Sequence, residues 1–152
     1  MEYIVLILRL NHAYTRGHRP PSVRAGCAIR RANLHQSKFA VTGLTDAQIA
    51  SFLTTLQHAV ATHNIARIVS LTVFPLTVNG KPSIKNAAAL KSQYNVIFNA
   101  RVVKEIKKQV FNELFANSDG IMIGNGEVWF AGIYDSDKCN HVRVRIVAIS
   151  NI

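Results

Sequence analysis

The chain has 152 residues, of which 49% are hydrophobic and 17% charged. That length and apolar content exclude a wholly disordered chain and give one domain enough core to fold without staples. The formal net charge of +10 points toward polyanions, yet residues 1–38 hold seven Lys/Arg against one acid, whereas residues 39–152 hold eleven against seven.

Residues 1–38 therefore read as a basic leader or arm, partly irregular, and residues 39–152 as a single domain. Such an arm can steer polyanions toward a protein without reading them. The opening MEYIVLIL carries an acid before its apolar run and arginines after it, the reverse of an export signal. No stretch reaches the roughly 18 apolar residues that span a bilayer. The expectation is a cytoplasmic protein with no membrane partner. Beyond Leu10, paired prolines, glycines and scattered charge in NHAYTRGHRPPSVRAG suit irregular backbone.

The first strong local signal is LTDAQIASFLTTLQHAV. Thr45 is a good N-cap and Gln48 completes a capping box. Ile49, Phe52, Leu53, Leu56 and Val60 then recur at helical spacing, predicting a helix through about His63. Leu44 can staple against Ile49. A short helix over Ala66 to Leu71 follows, closed by Phe74-Pro75 because proline disfavours helical backbone in its predecessor. Leu76-Thr77-Val78 before Asn79-Gly80 is a hairpin signal, and Pro82 makes the returning strand an edge.

Asn86 can cap a helix through AAALKSQYNVIF, with Leu90, Tyr94, Ile97 and Phe98 facing inward. A third long helix is predicted from Ala100 to Phe115, burying Val103, Ile106, Val110 and Leu114. Lys104, Lys107 and Lys108 then form its solvated face. From Asn117 to Ile149 three apolar runs, split by Gly124-Asn125-Gly126 and by a polar segment, predict an antiparallel meander. On its second strand Val128, Phe130, Gly132 and Tyr134 share one face, while Glu127, Trp129, Ala131 and Ile133 share the other. On the third, Val142, Val144, Ile146 and Ala148 oppose His141, Arg143, Arg145 and Val147.

Cys27 and Cys139 match no metal or redox spacing, so a disulfide is open but not required. The six histidines (His12, His18, His35, His58, His63 and His141) form no ligand motif, so neither a metal nor a cofactor is expected. Gly124-Asn125-Gly126 lacks the strand-to-helix setting and lysine of a phosphate loop and reads as a turn.

The order of elements, with LTDAQIASFLTTLQHAV, IVSLTVFPLTVNG, IKNAAALKSQYNVIF and NSDGIMIGNGEVWF, resembles the nuclear transport factor two-like superfamily of cone-shaped, cystatin-like α+β proteins. Within it the chain looks like small bacterial proteins of unassigned function. The resemblance covers about Gly43 to Ile149. It implies an α+β fold with a strongly curved, mostly antiparallel sheet wrapped around three helices, forming a cone with a ligand-binding cleft, and a homodimer formed through the sheet.

In such a cleft Glu127 and Asp119 are the catalytic candidates, and Tyr94, Phe98, Trp129, Arg143 and Arg145 the cleft or ligand-binding candidates. An isomerase-like site needs a carboxylate base and a donor for an enolate oxygen, and Glu127 with Tyr94 offers such a pair. Glu127 can equally be a cross-strand partner of Arg143 or Arg145. Trp129, beside an acid and arginines, suits a dimer interface or a pocket wall.

The leading expectation is a non-catalytic binding or accessory domain holding a small apolar ligand or a protein partner. The alternatives are a small-molecule isomerase, dehydratase or hydrolase with a cleft carboxylate, and weak nucleic-acid binding through the basic leader. Nucleic acid is not the expected partner, because the arginines lack interleaved aromatics and no recognition motif is present.

Overall fold

The structure, a computed structural model, describes residues 37–134 and 141–152. The leader up to residue 36, with its histidines, and both cysteines lie outside the described residues. Five helices and six strands follow in the order α1 (Asp46–Ala61), α2 (Ile65–Ser70), β1 (Thr72–Val78), β2 (Lys81–Ile84), α3 (Ala87–Ser92), α4 (Tyr94–Ile97), α5 (Ala100–Lys108), β3 (Phe115–Asn117), β4 (Gly120–Ile123), β5 (Val128–Tyr134) and β6 (Val142–Ile149).

Local chemistry explains most of the boundaries. The capping box at α1 forms in both directions: Gln48 N donates to Thr45 Oγ1 at 3.2 Å, and Thr45 N donates to Gln48 Oε1 at 2.9 Å. Side chains of Asn64, Asn86 and Asn99 accept from backbone amides at the starts of α2, α3 and α5, each supplying one of the acceptors a helix start lacks. Asn79 and Gly80 both take positive φ, the conformation that matches a tight turn to the twist of its strands. β1 runs through Phe74-Pro75 rather than starting after it. The predicted helix after Asn86 divides at Gln93, which ends α3 and precedes α4.

The helix predicted to reach Phe115 stops at Lys108. Gln57 of α1 donates to the carbonyls of Ile106 and Gln109 at 3.0 and 2.9 Å, taking up acceptors that a longer helix would use itself. The buried residues of α5 are Val102, Glu105 and Ile106, and Val110 is 51% exposed. The released chain leads into β3, whose first residue, Phe115, the sequence reading assigns to helix.

The six strands lie in the order β2-β1-β6-β5-β4-β3. β1 pairs with β6 in parallel and every other pair is antiparallel. One face carries Ile121, Ile123, Val128, Phe130, Ile146 and Ile149, all buried together with the apolar stripes of the helices. Phe52 of α1 meets Phe130 with ring centroids 4.6 Å apart. Gly132 belongs to this face for a steric reason: a Cβ there would stand 2.9 Å from Leu44 Cδ2. The register slips once between β5 and β6, where Trp129 pairs with Ala148 but Phe130 pairs with Ile146. Val147 is the extra residue of this bulge. Beyond it the alternation inverts, so Ile149 rather than Ala148 reaches the core.

These features correct the expected architecture. The sheet is open and mixed, neither closed nor strongly curled, and among the described residues five α-helices rather than three accompany it. The likeness to the cone-shaped nuclear transport factor two-like proteins is thereby overturned. Its edges are the four-residue β2 and the three-residue β3, too short to fold around a helical layer, and the bulges bend strands only locally. No helix among the described residues is long and apolar enough to cross a membrane.

Candidate functional site

Glu127 is the most heavily engaged carboxylate among the described residues. It follows the Gly124-Asn125-Gly126 turn and is 3% exposed. Arg101, on the first turn of α5, reaches its Oε1 with Nε at 3.0 Å and a terminal nitrogen at 2.9 Å. The amide of Asn125 donates to Oε2 at 2.6 Å. Burial pushes this carboxyl upward, but the amides of Asn125 and Glu127 and the Arg101 guanidinium outweigh it and hold it below the usual carboxylate range. A carboxylate so satisfied is poorly suited to exchange protons near neutral pH.

Glu105 stands beside it. Gly124 adopts φ +66, and a Cβ there would collide with Glu127 Oε2 and stand 3.1 Å from Glu105 Oε2. Both carboxylates thus converge on a turn that only glycine fits. Lys108 Nζ lies 2.7 Å from Glu105 Oε2, within ion-pair range, though without the geometry of a hydrogen bond. Gly124 N donates to Gln109 Oε1 at 2.7 Å. The cluster clamps α5 to the β4–β5 turn.

The remaining candidates are dispersed. Asp119 is exposed in the β3–β4 turn, where its amide donates to Asn117 Oδ1 at 2.8 Å. Tyr94 and Phe98 are brought together in the core, stacked with centroids 5.0 Å apart, and His63 meets Tyr94 edge-on. Burial raises the Tyr94 phenol above its ordinary value. Trp129 is on the opposite face of the sheet, paired with Met122 and Ala148. Arg143 and Arg145 oppose Ile133 and Ala131. Glu127 takes its cation from α5, a partnership across 26 residues that no sequence spacing signals.

A groove of about 410 Å³ opens between α1 and the first half of β6. Ala47, Gln48, Ser51, Phe52 and Thr55 line it from α1, Arg67 and Leu71 from α2 and its end, and Val142, Val144 and Arg145 from β6. Phe52 and Leu71 are core residues, so the groove is a place where the core reaches the surface. No acid, histidine or cysteine is among these lining residues. The α1 contributors recur at the spacing of one helix face, just beside the apolar stripe legible in the sequence. Their signal is weak because Ala, Ser, Gln and Thr also suit plain solvent exposure. Neither a protein-family model, nor a curated protein, nor a solved structure matches the chain.

Proposed function

We propose that the chain is a non-catalytic binding or accessory domain of the cytoplasm that holds a small apolar ligand in the groove between α1 and β6. The observation that carries this reading is the groove itself: Phe52, Leu71, Val142 and Val144 supply apolar wall, and Gln48, Ser51, Thr55 and Arg67 supply a polar rim. At about 410 Å³ it is a shallow, open depression that would cover one side of a small ligand. Against the catalytic alternative, Glu127 is locked to Arg101 and backbone amides, and the described lining residues of the groove include no acid or histidine for general acid–base work.

Titration of the isotope-labelled protein with 1-octanol, followed by amide NMR, tests the reading. Shifts should concentrate on residues 47–55, 67–71 and 142–145 and saturate. The absence of saturable shifts, or their concentration elsewhere, overturns it.

A second copy of the chain is the partner that the other face of the sheet supports. Phe115, Met122, Trp129 and Ala148 are successive cross-strand neighbours across β3, β4, β5 and β6. At about 4.8 Å per strand they form an apolar row roughly 14 Å long. Phe115 is 52% exposed, and Met122, Trp129 and Ala148 are all half-buried, as the middle of a pairing surface would be before its partner arrives.

A further inference from the structure

We infer that the ligand of the α1–β6 groove carries a single negative charge at one end, as a medium-chain carboxylate does; this rests on the groove being the binding site. The groove is chemically asymmetric. Its wall is aliphatic and aromatic, whereas Arg67 places a guanidinium on its rim, and no acid is among the described lining residues. Arg145, which alternates with Val142 and Val144 along β6, donates to the Val144 carbonyl at 3.0 Å and makes other interactions besides, so it is not the charge of the groove.

Arg67 differs. It is exposed near the middle of the short helix α2, and its guanidinium makes no hydrogen bond or ion pair with any other described residue. The Ser51 hydroxyl across the groove is likewise unengaged among the described residues, and Thr55, which donates to the Ser51 carbonyl at 2.7 Å, keeps acceptor capacity only. Among the described residues, the lining donors without a partner therefore belong to Arg67, the Ser51 hydroxyl and the Gln48 side-chain amide, and Arg67 is the charged one. A carboxylate accepts from a guanidinium fork in two parallel bonds, stronger than those made by a neutral hydroxyl. A ligand with an aliphatic body on Phe52, Leu71 and Val144 and a carboxylate at Arg67 satisfies both halves of the groove. A second negative charge would find no further unengaged cation among the described lining residues, and a cationic head would be repelled.

The test compares octanoate with 1-octanol, equal in chain length and different in charge, on the full chain by NMR titration in fixed salt. Octanoate should bind at least about 10-fold more tightly than octanol, the scale of a charge-assisted pair in a half-exposed site. R67Q should abolish that preference while leaving octanol binding within about 2-fold. K104Q removes an exposed cation outside the groove and should leave the preference intact, separating a local fork from the general basic charge. Equal binding of the two probes, or an R67Q variant that keeps the preference, overturns the anionic ligand while the apolar groove stands. Failure of both probes to bind overturns the groove reading itself.

Discussion

Replacing Arg101 by alanine would leave the Glu127 carboxylate buried with only backbone donors. Loss of a partner from a wholly buried pair costs about 3–5 kcal/mol. Arg101 is 54% exposed, so screening reduces the expected loss to about 1–2 kcal/mol, readable as a lower urea midpoint. The pH dependence follows from the direction of the shift. A carboxyl held below its unfolded value of about 4.3 stabilises the fold fully above that pH, and the contribution fades as pH falls through the lower folded value. R101A should therefore flatten the acid side of the stability–pH curve, and an unchanged slope would show that Arg101 does not set the Glu127 shift. Glu127 itself was conspicuous in the sequence as an acid after a glycine turn. Its partner was not, because the pairing depends on how α5 lies over the β4–β5 turn, which no local pattern encodes.

At the scale of elements, the capped helix starts and the ends of α1 and α2 were legible, whereas the break at Gln93 and the end of α5 were not. Thr45 and Asn86 announce α1 and α3 because capping is a local competition for the first free amides. T45A should cost about 1 kcal/mol and lower the denaturation midpoint without changing its slope; no loss of stability would mean the box is redundant with the packing of α1. The C-terminus of α5 is decided instead by Gln57, a residue of another helix, whose side chain caps its last carbonyls. The inward stripe Leu90, Tyr94, Ile97 and Phe98 is buried as its spacing predicts, although the helix breaks at Gln93. In β6 the alternation is readable up to Ile146 and misleading beyond it, because the bulge at Val147 has no glycine or proline to mark it.

At the scale of the whole molecule, the open sheet packs one face against the helices, and the other carries no helix among the described residues. A glutamate at position 129 would put a charge at the middle of the row formed by Phe115, Met122 and Ala148 while leaving the core face untouched. W129E should shift the protein from dimer to monomer in sedimentation equilibrium, with unfolding cooperativity retained. A wild-type chain that is monomeric at high micromolar concentration would remove the pairing proposal. The groove between α1 and β6 likewise exists only at this scale, since Phe52, Arg67 and Val144 come from three separate elements. By itself the sequence determined which segments are amphipathic, where helices begin, where the Asn79-Gly80 hairpin turns and which strands form the closing meander, because each depends on neighbours a few residues apart. Only the tertiary structure decided that the sheet stays open, that β1 joins β6 in parallel, that Glu127 answers to Arg101, and that the core surfaces beside Arg67. Those outcomes depend on contacts between residues distant along the chain, and a pattern of period 2 or 3.6 carries no information about them.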